Sequence, residues 1–153
     1  MKKERMNNKG FSLVELIIVI AIMAVLVVVL APQFLKYVER ARVSTDKDNA
    51  AAIATALQVW AAAEGNPGTG DAATVTVGAT GGITTFGGPS VTYGGSSVTW
   101  TQAACNDAGI VAGNAEIQSR LATWAGGYTI TIGSNGQLTY SDPNIADPDY
   151  NPS

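Results

Sequence analysis

The sequence predicts an α+β fold in which a long N-terminal helix packs, through its second half, on a small antiparallel sheet. Residues 11–31 are an almost unbroken apolar run, residues 32–64 mix charges with a helical apolar stripe, and short β-prone runs separated by glycine follow Gly68. The 153 residues suffice for one modest domain with an appendage. We therefore divide the chain into a leader (1–10), an apolar helix (11–31), its amphipathic continuation (32–64), a β-rich head (65–141) and an extended acidic tail (142–153).

The composition argues against several classes of function. The chain has no histidine, the commonest general base and metal ligand, and a single cysteine, which excludes an internal disulfide. The first nine residues carry a net charge of +3, although the whole chain carries −3. Beyond Asp48 the only basic residue is Arg120, so the body is acidic and broad contact with nucleic-acid phosphates is not expected. We expect neither enzymatic activity nor a cofactor.

The apolar run predicts a membrane-spanning helix. From Phe11 to Ala31 there are 21 residues with one charge, Glu15, and Pro32 follows. At about 1.5 Å per residue this run spans about 30 Å, the thickness of a bilayer core. The basic leader places the N-terminus in the cytoplasm and the remainder outside. Hydropathy alone favours an uncleaved signal anchor, but a carboxylate in hydrocarbon costs a few kcal/mol, and a simple anchor does not explain it.

The segment "KGFSLVELIIVIAIMAVLVVVLAPQF" closely resembles the type III signal of prepilins, the precursors of type IV pilins and of type II secretion pseudopilins. The resemblance covers about residues 8–40. It implies cleavage by a prepilin peptidase between Gly10 and Phe11, N-methylation of Phe11, and a ladle-shaped α+β subunit. The implied partners are further copies of the chain in a helical filament, the peptidase and methylase, an assembly platform protein and an ATPase. The cytoplasmic membrane would hold the subunit before it joins a fibre at the cell surface.

The resemblance also implies roles in assembly for Glu15 and Pro32. Cleavage would leave a cationic amine on Phe11, and Glu15 of one subunit could pair with the amine of a neighbour, because charges that are costly in hydrocarbon attract strongly there. The alternative is a protonated Glu15 without a partner. Many family members carry a glycine midway along the apolar run where this chain has Ala24. Pro32 remains, and it predicts a kink or break because proline lacks an N–H and its ring clashes with the preceding turn.

The second half of the helix is predicted to form the spine of the head. Ala50, Ile53, Leu57 and Trp60 are spaced for one helix face, which indicates core packing against a sheet. Gly65 and Pro67 should end the helix, so a continuous helix from Phe11 to Glu64 would contain 54 residues.

The head should contain short strands and one short helix. The β-prone runs are 73–77, 83–86, 90–93 and 97–101, in a meander or an irregular loop region, and residues 128–140 form a hairpin around Asn135–Gly136. Residues 114–127 predict a helix, and the tail should be extended or disordered. Cys105, among small and apolar neighbours, is predicted to be a buried, inert thiol.

Other functions fit some of the residues. The oxygen-bearing residues of the tail could bind Ca²⁺, but their spacing lacks the EF-hand pattern, and a solvated acidic tail is the better interpretation: Asp142, Asn144, Asp147 and Asp149. A signal-anchored monomer could bind carbohydrate through Trp100 or Trp124. A type II secretion or competence pseudopilin is the alternative within the family. We favour a type IV pilin, the structural subunit of a surface fibre.

Overall fold

The structure, a computed structural model, describes residues 10–68, 72–79, 82–111, 126–147 and 149–150. It has the predicted α+β class. The elements, in chain order, are α1 (Leu13–Glu64), β1 (Ala73–Val77), β2 (Ile83–Gly87), β3 (Ser90–Tyr93), β4 (Ser96–Thr99), α2 (Trp100–Asp107), β5 (Tyr128–Ile132), β6 (Leu138–Tyr140) and a 3₁₀ turn (Pro143–Ile145). The chain forms two compact units, Met1–Tyr37 and Val38–Ser153.

The first unit contains the apolar half of α1. The helix begins at Leu13 and is assigned without interruption through Pro32. The prediction was a kink or a break at Pro32; the break is not formed, and the kink stays a prediction, because the proline still removes the N–H that would bond to the carbonyl of Val28. One lost hydrogen bond does not end a helix whose flanking residues, such as Leu30, Ala31 and Leu35, favour helix.

The second unit contains a four-stranded antiparallel sheet with the strand order β2-β1-β5-β6. β1 pairs with β2 on one side and with β5 on the other, in registers that place Val75 opposite Phe86 and Ile130. β3 and β4 form a separate hairpin. The predicted strand positions are confirmed closely, but a simple meander is not formed, because β1 and β5, at the centre of the sheet, are far apart in sequence.

The core lies between α1 and the sheet. Ala50, Ile53 and Leu57 are fully buried, as the helical stripe predicts, and Trp60 packs at its edge. Alternate residues of β1 and β5 face the same core, in keeping with the two-residue period of strands: Ala73, Val75, Val77, Tyr128, Ile130 and Ile132. The ring of Trp60 meets that of Tyr93, on β3, edge to face at 5.8 Å.

Helix α2 replaces the end of a predicted strand. The run 97–101 was expected to be extended, but β4 ends at Thr99 and α2 begins at Trp100. The hydroxyl of Thr99 accepts a hydrogen bond from the backbone N–H of Gln102, which caps the helix. Thr101 is buried and donates to the carbonyl of Gly87. The β-branched and aromatic residues that suggested a strand therefore cap and bury a short helix.

The C-terminal residues also differ from the expected extended tail. Pro143–Ile145 form a 3₁₀ turn, and the side chain of Ile145 is buried in the core. A single apolar residue within a polar segment is enough to fix the turn against the head. The helix predicted at 114–127 lies almost entirely outside the described residues.

Cys105, on α2, is fully buried, as predicted, and unpaired. Burial raises the pKa of its thiol to about 11, because the thiolate would lose its hydration in the core. We therefore expect the thiol to react with a water-soluble maleimide at pH 7–8 far more slowly than a free cysteine peptide, and to react rapidly after denaturation. Labelling followed by intact-mass measurement tests this, and native labelling at the peptide rate would contradict it.

Candidate functional site

The N-terminus of α1 is capped by a side chain of the same helix, Glu15. Ser12 precedes the first helical residue, and its backbone N–H donates to Oε2 of Glu15 at 2.8 Å. The carbonyl of Ser12 accepts from the N–H of Leu16. This is the backbone half of a capping box, in which the fourth residue of an S-x-x-E sequence satisfies an otherwise unpaired N–H. The carboxylate also lies at the positive end of the helix dipole.

The surface that follows this cap is apolar on every side. From Leu13 to Leu30 the large hydrophobic side chains remain between about half and three quarters exposed. Among the described residues, α1 is the one helix long and apolar enough to cross a membrane, with a mean hydropathy of 3.4 over its most apolar 18 residues. A continuous exposed surface of this kind marks contact with a membrane or with other protein.

Gly10 and Phe11 precede the helix. Both are exposed, Phe11 by 86%. A β-carbon added at Gly10 would meet nothing within 4 Å. Packing against the residues that the structure describes therefore does not require glycine at position 10.

The oxygen ligands suggested for Ca²⁺ form local turns instead. Oδ1 of Asp142 accepts from the N–H of Asn144, and Oδ1 of Asp147 accepts from the N–H of Asp149, both at 2.9 Å. Hydrogen bonds of this kind stabilise Asx turns. Within the described ranges, no three acidic, cysteine or histidine side chains converge as a metal site would need.

A carbohydrate platform at Trp100 is contradicted by its burial. Trp100 is 3% exposed, and its indole N–H donates to the carbonyl of Gly65 at 3.2 Å. The ring therefore joins α2 to the end of α1 and presents no face to a ligand. Trp124, the other candidate, lies outside the described residues.

The C-terminal segment 142–150 is attached to α1 at two points. Ile145 enters the core, and Nζ of Lys47 donates to the carbonyl of Tyr150 at 2.7 Å while lying 5.4 Å from the centre of its ring. A cleft of about 370 Å³ between the segment and the helix is lined by residues that include Ser44, Asp48, Tyr140 and Asp147. Lys47 and Tyr150 are 103 positions apart, so no local sequence signal could have revealed their contact.

The comparisons with known proteins concern the N-terminal part of the chain. Residues 5–31 match the family model described as the prokaryotic N-terminal methylation motif. This chain carries the prokaryotic N-terminal methylation motif. Its Gly10, Phe11 and Glu15 all lie within that match. The capped, exposed apolar part of α1, from Leu13 to Leu30, therefore lies within the matched segment.

Two relatives extend the similarity beyond the motif, and one of them is named a type IV major pilin. The chain is 39% identical over 56 residues to prepilin peptidase-dependent protein A of Clostridium perfringens, an alignment that covers 37% of this chain and 40% of the relative. It is 41% identical over 58 residues to type IV major pilin protein PilA of Myxococcus xanthus, covering 37% and 26%. The match thus spans less than half of either relative. No solved structure matches the chain.

The Lys47 contact generates a prediction for the head. Replacing Lys47 with Met keeps most of the apolar stem but removes the hydrogen bond to Tyr150 and the charge over its ring. A hydrogen bond from a charged group contributes about 1.5–3 kcal/mol, and a cation–π contact about 0.5–1 kcal/mol at an exposed site. We expect faster amide exchange in residues 142–150, measured by mass spectrometry of the full chain in detergent.

The matched control is Lys36→Met, which removes an exposed cation from the same helix. It should leave exchange in residues 142–150 unchanged. Equal exchange in the Lys47→Met variant and the wild type would show that the lysine does not hold the segment.

Proposed function

We propose that this protein is the structural subunit of a type IV pilus. It would be inserted in the cytoplasmic membrane as a prepilin, cleaved after Gly10, N-methylated on Phe11, and polymerised through its N-terminal helix into a surface fibre. The observation that carries the proposal is the exposed apolar half of α1, with Glu15 as its one charge, inside the segment that matches the methylation motif. The major pilin among the relatives favours a pilus over a secretion pseudopilus.

The physical case begins with the membrane. The apolar run has 21 residues, of which the 19 from Leu13 to Ala31 are helical, and this is long enough to span a bilayer core. The net charge of +3 in the first nine residues favours a cytoplasmic N-terminus, which leaves the acidic head on the outer side. Removal of the leader also removes those charges, and an apolar helix without a basic anchor can leave the bilayer for an apolar fibre core.

Within the fibre, the apolar helices of neighbouring subunits would contact one another in place of lipid. Apolar helix surfaces alone give little directional preference, whereas a pair of opposite charges in a low-dielectric core fixes one register. The new ammonium group of Phe11 is the cation that cleavage supplies, and Glu15 is the anion. A prepilin peptidase and methylase, an assembly platform protein and an ATPase would act as partners in processing and polymerisation.

Replacing Gly10 with Val tests the processing step. Since a β-carbon at this position meets none of the described residues within 4 Å, the substitution should leave folding and membrane insertion unchanged. We expect it to block removal of the leader, because a β-branched side chain would crowd the peptidase cleft. Intact-mass measurement of the membrane protein decides the question. A Gly10→Val chain that begins at Phe11, or a wild-type chain that retains residues 1–10, would refute the cleavage site.

Replacing Glu15 with Val tests the pairing. Insertion and leader cleavage should persist, because a costly side chain becomes an apolar one and the cut lies on the other side of Phe11. Assembly should fail, because leaving one member of a buried charge pair without its partner costs about 3–5 kcal/mol. Glu15→Gln should be nearly as defective, since it lacks the charge. The measurement is the ratio of subunit in sheared fibres to cleaved subunit in the membrane.

The control for this experiment is Ile18→Val, a conservative change on the same exposed surface, which should assemble normally. Fibres at the wild-type level from the Glu15→Val variant would rule out the charge pair.

A further inference from the structure

The cap on α1 occupies only one oxygen of the Glu15 carboxylate. Oε2 accepts from the Ser12 N–H at 2.8 Å, and in the part of the chain that the structure describes no hydrogen bond is made to Oε1. A carboxylate can accept several hydrogen bonds. Glu15 can therefore cap its own helix and bind an external cation at the same time.

The cap also determines where that carboxylate lies. The nitrogens of Phe11 and Ser12 are separated by three covalent bonds, so they lie within about 4 Å of each other. Since Oε2 is 2.8 Å from the Ser12 nitrogen, it is within about 7 Å of the Phe11 nitrogen. The carboxylate is thus held at the end of the chain that cleavage would create, instead of extending along the helix surface.

We propose that the backbone N–H of Ser12 is a positioning group for fibre assembly. It holds Oε2 of Glu15 at the helix start, so that Oε1 receives the Phe11 ammonium group of a second copy of the chain. This role rests on the proposed function. A free glutamate side chain has many rotamers, and ordering it in advance removes an entropic penalty from the assembly step. The group that positions is the backbone N–H, and the hydroxyl of Ser12 is not required.

Two substitutions separate the cap from the charge. Glu15→Gln keeps the length needed to accept from the Ser12 N–H but lacks the charge, since glutamine also serves in capping boxes. Glu15→Asp keeps the charge but is one methylene shorter, about 1.5 Å, so we expect its hydrogen bond to that N–H to be weakened or lost, and Ser12 exchange measures this. Ser12→Ala is the control, because it removes the hydroxyl and retains the N–H.

Two measurements are made on the full-length chain. The first is the exchange rate of the Ser12 amide in detergent micelles, by nuclear magnetic resonance. The second is the ratio of subunit in sheared fibres to cleaved subunit in the membrane. We expect the Ser12 amide to exchange about tenfold faster in Glu15→Asp than in the wild type, as for loss of an ordinary hydrogen bond, and to remain protected in Glu15→Gln and Ser12→Ala.

Fibre yield should then fall in both Glu15 variants and remain normal in Ser12→Ala. Normal fibres from Glu15→Asp would overturn the positioning role, because charge alone would suffice. In Glu15→Asp, reduced fibres without a change in Ser12 exchange would also overturn it, because the cap would be intact. If the cleaved wild type forms no fibres at all, the proposed function fails, and the positioning role fails with it.

Discussion

The exposed apolar surface of the first half of α1 is the constraint on which the rest of the molecule depends. Over the five turns from Leu13 to Leu30 the large apolar side chains are about half to three quarters exposed, and Leu13 and Val28 are the most exposed of them. Water does not stabilise such a surface, because each apolar group it contacts adds unfavourable hydration. Under the proposed function, lipid would cover this surface first and other copies of the helix would cover it in the fibre, so every polar group near the helix start would have to be compatible with both environments.

The same helix meets a different requirement in its second half. From Val43 onward its buried positions recur at helical spacing, and Ala50, Ile53 and Leu57 join the same core as the inward-facing residues of β1 and β5. The acidic side chain of Asp46 is buried among them and lies near the phenol of Tyr128, which contributes, after burial itself, to raising the pKa of that phenol. The two halves of α1 therefore differ in composition: the first half exposes an apolar surface, and the second half packs in the core of the head.

The sequence determines the local parts of this structure well. β1 and β3 were located to the residue because β-branched residues alternate between glycine-rich boundaries. The pairing of β1 with β5 could not be predicted, since it joins runs more than fifty positions apart and depends on which apolar faces α1 covers. Helix α2 was missed because its β-prone residues are overridden by the Thr99 cap and by burial of Trp100.

The contacts of the candidate site likewise include some that a local sequence signal predicts and others that no local signal predicts. The S-x-x-E sequence at 12–15 is a local signal for a capping box. The contact between Ser12 and Glu15 could therefore have been predicted from the sequence. The contact of Lys47 with Tyr150 was not accessible, because nothing near either residue indicates the other. The turns at Asp142 and Asp147 use carboxylates that composition alone could assign to a metal.

Each contact of Glu15 favours particular residue types at position 15. Capping the Ser12 N–H requires an acceptor of this length, which glutamine also provides. Residence in hydrocarbon favours an apolar side chain, and the helix dipole favours a negative charge by only about 0.3–1 kcal/mol at an exposed end. Residues 11–31 contain no lysine or arginine to neutralise it. A carboxylate is therefore preferred over glutamine or valine most strongly if a cation reaches it from outside its own apolar segment. The N-terminal ammonium group that the proposed cleavage would create could serve as that cation, and its formation would couple assembly to processing.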